Sequence, residues 1–321
     1  MNQKKWIRHL DYFYIARPML FFPGWNTLLA GYLVAKGEIN LWQNIVSGSF
    51  QWHIWIAEVA LMMLTFAAAM GGSFIMNQLQ EVESDKQNKK LFLIGEKYMS
   101  WQKAFIESIL LILTAVGISL IFNIQEVLLI IFFVIITGYL YNFPPFQYKN
   151  HPFMGLYLNM LMGWIAFALG WSILKNLNLE FFLHSLPYLF LNTGLYFLTT
   201  VPDIEGDKAA GKQTFCVRFG IKTTARLCLG CYLLSVLTAI LLQDYLILFI
   251  LLLGFYWMVK SAYRPSVSSV IKTVKMVIFF FSAVICIKFP TYFLLMVFIF
   301  YLTKFYYRRR FQFNYPNFRG E

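Results

Sequence analysis

Three observations predict an all-α polytopic membrane protein. Of 321 residues, 59% are hydrophobic and only 13% charged, a balance far from that of a soluble globular domain. Apolar segments of about 16 to 23 residues, close to the length that crosses roughly 30 Å of hydrocarbon, recur along almost the whole chain. Basic residues collect in alternate connections between those segments.

In chain order the segments centre on 19–35, 54–76, 104–122, 126–141, 153–174, 183–201, 224–242, 244–259, 270–288 and 290–305. Only Phe289 and Pro290 separate the last two, which read as a tight helical hairpin or as one kinked, partly re-entrant element. Nine or ten transmembrane helices follow. The N-terminal MNQKKWIRH places basic clusters ahead of the first apolar run, and no small-residue cleavage site follows it, so the first helix is expected to stay as an anchor. With that end and the tail FYYRRRF on the cytoplasmic side, only Lys36, Lys175 and Lys288 among the basic residues fall outside. This bias favours an even number of crossings. The net charge of +12 then belongs to one membrane face and implies membrane lipid, not nucleic acid, as its partner.

No linker rich in Pro, Gly or Ser divides the chain. Residues 1–321 read as a single membrane-embedded domain, with a core over 10–288 and an extra hairpin helix and basic cytoplasmic tail over 289–321. The four cysteines make no disulfide framework, and Cys228 and Cys231 lie inside an apolar segment with no second pair to complete a metal site.

The polar content is concentrated in three basic-side loops, and two of them repeat. EVESDK at 81–86 and DIEGDK at 203–208 superpose at an offset of 122 residues: Glu81 on Asp203, Glu83 on Glu205, Asp85 on Asp207, Lys86 on Lys208. Four predicted spans lie between the copies, which returns both to one face, each just after a transmembrane segment. Glu81 and Asp85, like Asp203 and Asp207, are four residues apart and so share one face of a helical turn, which Asn77 extends backward. Like charges at this spacing repel, and near hydrocarbon they need neutralising. Carboxylate and amide oxygens are hard ligands suited to Mg²⁺, and two such faces across a bundle could hold about two or three ions and a diphosphate. A single acidic cluster could be an ordinary loop charge. Orientation depends on Lys and Arg, however, so that reading leaves unexplained why 6 of 15 acidic residues occupy two hexapeptides. Glu83 and Glu205 fall off the shared faces and should point away.

Basic residues follow each motif. Lys89, Lys90, Lys212 and Arg218 are candidate donors to phosphate oxygens, and Lys212 is favoured because Gly206 and Gly211 bracket a tight turn that could fold it back toward Asp207. In the third loop, YNFPPFQYKNHP at 141–152, adjacent prolines forbid helix and favour an extended, rigid path that could hold Tyr141, Tyr148 and Lys149 over the acids. Arg17, just before the first apolar run, reads as an interfacial anchor or a diphosphate donor.

These motifs resemble those of the UbiA superfamily of intramembrane prenyltransferases. The family pattern N-D/Q-x-x-D-x-x-x-D followed by N-R/K-P is similar to Asn77, Gln78, Glu81, Asp85, Asn88 and Lys89; the second pattern is similar to Asp203, Gly206, Asp207, Gly211, Lys212 and Thr214; and Tyr141, Pro144, Pro145 and Lys149 match its YxxPPfxxK loop. Glu81 replaces the usual Asp, one methylene longer, and Lys90 replaces Pro. The resemblance implies a UbiA-like helical bundle with short cytoplasmic helical loops. It implies Mg²⁺ held by Asn77, Glu81, Asp85, Asp203 and Asp207, a diphosphate bound by Arg17, Lys89, Lys149, Lys212 and Tyr141, and catalytic roles for Asp85, Asp207 and Lys149. It further implies transfer of a prenyl group from an isoprenyl diphosphate to an aromatic acceptor, since the motifs look most like those of homogentisate-type members that make prenylquinone and tocopherol precursors. A lipid acceptor such as geranylgeranylglyceryl phosphate is the alternative. From another class, a cation-coupled transporter also combines pseudo-repeats with membrane acids, although it places them near the midplane rather than at helix ends.

Overall fold

A computed structural model describes residues 5–40, 57–82 and 93–316. Asp85, Lys89, Lys90 and the rest of residues 83–92 in the first acidic loop lie outside the described residues.

Every predicted apolar segment contains a helix. After a 3-10 turn at Lys5–His9, a short α1 (Leu10–Ile15) and a second 3-10 turn at Pro18–Leu20 lead into α2 (Phe21–Ala35). There follow α3 (Ala57–Gln80), α4 (Trp101–Ser119), and α5 (Ile124–Val134), which winds on as a π-helix over Ile135–Leu140. The second half contains α6 (Pro152–Ser172), α7 (Leu179–Thr199), the short α8 (Ile204–Ala209), α9 (Phe215–Leu241), α10 (Tyr245–Tyr263), α11 (Val267–Lys288) and α12 (Pro290–Phe311). No strand occurs among the described residues. Among the described residues six helices, α3, α4, α6, α9, α10 and α11, are long and apolar enough to cross a membrane by length and composition. Large apolar side chains such as Leu113, Leu120 and Leu252 stand on the exterior, as a lipid-facing surface requires. The last two segments are separate helices, broken at Phe289 (φ −123°, ψ 80°) where Pro290 removes a backbone donor.

The packing follows the sequence repeat. The first acidic motif lies between α3 and α4 and the second between α7 and α9, and each of these helix pairs packs closely. A third close pair, α2 with α6, depends on glycine: a Cβ on Gly31 would lie 2.2 Å from the Phe167 carbonyl oxygen, and one on Gly170 1.8 Å from that of Leu28. Without side chains at the crossing the two backbones touch, the usual device for joining helices where lipid removes the hydrophobic drive. Buried polar contacts add direction. Asn26 of α2 donates to Ser282 of α11 at 2.8 Å and accepts from the Tyr292 hydroxyl of α12 at 2.9 Å.

Candidate active site

The two acidic motifs meet with the third loop at one end of the bundle. Helix α3 carries Asn77 in its last turn and Glu81 immediately past its end, with the Glu81 amide donating to the Gln78 carbonyl at 3.3 Å. A carboxylate here sits at the negative end of a helix dipole and needs a cation. It has two: Lys212 Nζ lies 2.5 Å and Lys149 Nζ 3.4 Å from Glu81 Oε1. Glu81, just past the helix end, lines the same cavity as Asn77 and is the hub of a lysine cluster.

The second motif forms as the spacing requires. Asp207 N donates to the Asp203 carbonyl at 2.8 Å, which closes the turn of α8. Asp207 is buried and Glu205 exposed. Gly211, at φ +70°, reverses the chain, so that Lys212 N reaches the Asp207 carbonyl at 2.9 Å and its Nζ lies 3.6 Å from the Asp207 carboxylate. Lys212 therefore bridges the two motifs.

The proline loop departs from its expected shape. It is a series of turns rather than an extended strap: the Phe143 carbonyl accepts from both Phe146 N (3.1 Å) and Gln147 N (2.9 Å), and Gln147 adopts φ +40°. Prolines exclude helix but are equally at home in turns. The turns place Lys149 on a 3-10 segment, 7% exposed, with its Nζ 3.3 Å from Asn142 Oδ1. Asn142, fully buried, also accepts from Asn77 Nδ2 at 2.9 Å and donates to the Thr137 carbonyl at 2.7 Å. It joins the first motif, the π-turn and Lys149. The loop is further tied to the second motif by Gln213 N, which donates to the Asn150 carbonyl at 3.2 Å.

These groups open on a cavity of about 520 Å³. Arg17, Asn77, Glu81, Tyr141, Lys149, Asp203, Asp207 and Lys212 all line it. Burial, together with the charges of Glu81 and Asp207, pushes the Tyr141 hydroxyl up to about 12, so it serves as a neutral hydrogen-bond donor or acceptor at any working pH. Asp85 and Lys89 are not placed. The uncharged lining mixes two kinds of side chain: Phe66, Met70, Phe74 and Phe133 come from α3 and α5, and Thr27, Asn159, Asn192 and Tyr196 from α2, α6 and α7. Sequence reasoning missed these amides and Asn142. An amide within a membrane-length apolar run was the available signal, because such a group is costly unless partnered or functional.

Among the described residues no three of His, Cys, Asp and Glu come close enough to enclose an ion. Mg²⁺ does not require that, since it commonly takes one or two carboxylates and completes its shell with water and phosphate oxygens. Asn77, Glu81, Asp203 and Asp207, spread around one cavity, suit Mg²⁺ arriving with a diphosphate. The buried Thr214 hydroxyl, which lines the same cavity and has no hydrogen-bond partner among the described residues, fits a phosphate oxygen.

Known proteins are similar to this chain in sequence and in fold. The chain is 28% identical over 176 residues to a 2-acyl-4-prenylphloroglucinol 6-prenyltransferase of Humulus lupulus, a match covering 51% of this chain and 43% of that enzyme. It is 24% identical to the digeranylgeranylglyceryl phosphate synthase of Sulfurisphaera tokodaii, covering 60% and 68%. The chain thus spans less than half the length of the first relative. In structure it resembles a UbiA homolog from Archaeoglobus fulgidus solved with DMAPP and Mg²⁺, with a TM-score of 0.64 and 20% identity over 86% of this chain and 99% of that one. Transferases and synthases, rather than transporters, are what it is like, and the transporter reading falls. The UbiA prenyltransferase family profile matches residues 25–284, from the first turns of α2 nearly to the end of α11 with both acidic motifs inside, and the chain belongs to that family.

Proposed function

We propose that the protein catalyses Mg²⁺-dependent prenyl transfer from an isoprenyl diphosphate to an aromatic, phenol-like acceptor within the membrane, releasing diphosphate. One observation carries this reading: a single cavity is lined by acids and cations of the motifs together with aromatic rings and neutral amides. Bound at Asn77, Glu81, Asp85, Asp203 and Asp207, Mg²⁺ supplies charge stabilisation to the departing diphosphate. Arg17, Lys149 and Lys212 donate to its remaining oxygens, with Lys89 and Tyr141 as further donors. Phe66, Phe74 and Phe133 offer ring faces to the prenyl chain and to the positive charge that grows as the allylic C–O bond breaks. The acceptor ring lies against Thr27, Asn159 and Asn192, whose hydroxyl and amides match phenolic oxygens. A C–C bond forms at the ring carbon as the allylic C–O bond breaks, and the ring proton passes to the released diphosphate.

The uncharged lining of Thr27, Asn159 and Asn192 favours an aromatic acceptor over a lipid phosphate, which would need cations of its own beside those that serve the diphosphate. With the basic loops on the cytoplasmic side, all ten long helices cross the bilayer and the acidic motifs face the cytoplasm. Purified protein given geranyl, farnesyl and geranylgeranyl diphosphates with a panel of phenolic acceptors and geranylgeranylglyceryl phosphate should yield a prenylated phenol by mass spectrometry. Product from the lipid phosphate alone would overturn the acceptor assignment, and no Mg²⁺-dependent product from any pair would overturn the reaction.

A further inference from the structure

Helix α12 lies beyond the residues that the family profile matches, and no step of the proposed reaction uses it. It is nonetheless fastened to the body by buried polar groups. Near its end, Arg310 Nε and Nη2 donate to Asp11 Oδ1 at 3.2 Å and Oδ2 at 3.1 Å, and the Tyr306 hydroxyl donates to Asp11 Oδ1 at 2.6 Å. None of the three is more than 6% exposed. A two-pronged guanidinium–carboxylate pair fixes angle as well as distance. Tyr14 strengthens the contact by stacking on Tyr306, ring centroids 3.9 Å apart.

Asp11 and Tyr14 belong to α1, and Arg17 follows directly. Arg17 holds φ 55° and ψ 59°, a left-handed conformation that a long side chain adopts only where its surroundings impose it. Both 3-10 turns that bracket this stretch, Lys5–His9 and Pro18–Leu20, pack against α12. On the other side Gln78 of α3 donates to the Ile15 carbonyl at 2.8 Å. The α1–α2 junction is thus gripped between the helix of the first acidic motif and the last helix of the chain. Burial raises the Tyr315 hydroxyl while the nearby Arg17 charge draws it back, and Arg17 itself lines the cavity.

We propose that Asp11, Tyr306 and Arg310 are positioning residues for the isoprenyl diphosphate: through them α12 sets the α1–α2 junction so that Arg17 is presented at the charged end of the cavity. This rests on the reading that the cavity takes a diphosphate. The test uses the purified full chain, with binding of inorganic diphosphate plus Mg²⁺ followed by calorimetry and with KM and kcat for geranylgeranyl diphosphate measured in parallel. Tyr306→Phe and Arg310→Lys, mild enough to keep the fold, should weaken diphosphate binding and raise KM about three- to tenfold, with kcat within about twofold of the parent. Arg310→Ala should do the same in the parent and add nothing in an Arg17→Ala background, because its effect passes through Arg17. Unchanged binding in the mild variants, or effects of Arg310→Ala and Arg17→Ala that multiply, would overturn the proposal. Diphosphate binding with this coupling but no prenylated product would sustain it and overturn the proposed reaction instead.

Discussion

The protein buries acids in two clusters and treats them in opposite ways. At the chain ends one acid meets one arginine: Asp11 receives both prongs of Arg310 and the Tyr306 hydroxyl. At the cavity the match is contested, with two lysines on one oxygen of Glu81 and one of them also reaching toward Asp207. A fork on a carboxylate is a closed contact with little reason to rearrange. Lysine is a flexible point charge whose partners can be exchanged, so the second arrangement suits a site where a diphosphate and its ions must compete for the same groups.

Neutralising one acid in each cluster should separate the two roles. Asp207→Asn should lower prenyl transfer by about 10³-fold or more while leaving the melting temperature within a few degrees, as measured by product formation and by thermal unfolding in detergent. A variant retaining full turnover would remove the cavity cluster from the chemistry. Asp11→Asn should instead act on stability, costing roughly 3 to 5 kcal/mol because Arg310 is left buried and uncompensated; a melting temperature equal to that of the parent would contradict the closed-pair description.

Asp244, also buried, extends the comparison because it makes no ion pair among the described residues and accepts instead from Ile247 N at 3.2 Å. Burial pushes its carboxyl up to about 6, from an ordinary value of 3.8. The folded state then binds the proton more tightly than the unfolded state, so stability is greatest below about pH 4 on this account and declines as pH rises to about 6. The loss is on the order of 2 to 3 kcal/mol. Asp244→Asn should flatten this part of a stability profile, and an unaltered slope would exclude the assignment. The smallest effect is expected from Glu81→Asp. Shortening the carboxylate by one methylene keeps the charge but draws it back from Lys149 and Lys212, and a loss of about three- to tenfold in turnover should follow. A gain would show that Glu81 holds the site in a lysine-locked form.

Much of this architecture is legible in the chain. Membrane-length apolar runs announce the helices because hydrocarbon tolerates no other backbone solution there. The repeat of acids at 81–86 and 203–208 brings two motifs to one face by counting crossings alone, and Gly211 already marks the turn that returns Lys212 to Asp207. Other features have no local signature. The prolines at 144 and 145 exclude helix but do not choose between a strap and a turn; hydrogen bonds to the Phe143 carbonyl decide that. Glu81 looks like a member of a helical ligand face until a lysine 131 residues away arrives to claim it. Asn159 and Asn192 sit in apolar runs, where an amide is conspicuous by its cost but says nothing of which way it faces. Arg308, Arg309 and Arg310 read alike as a basic tail, and only packing singles out Arg310.

The pairing of Asp11 with Arg310 spans 299 residues, almost the whole length of the chain. Asp11 leaves the ribosome long before Arg310. Until α12 is made, α1 therefore carries a carboxylate whose arginine does not yet exist, and the junction bearing Arg17 is completed only when α12 comes to rest. A chain cut short before α12 keeps every motif of its family and lacks the clasp that closes them.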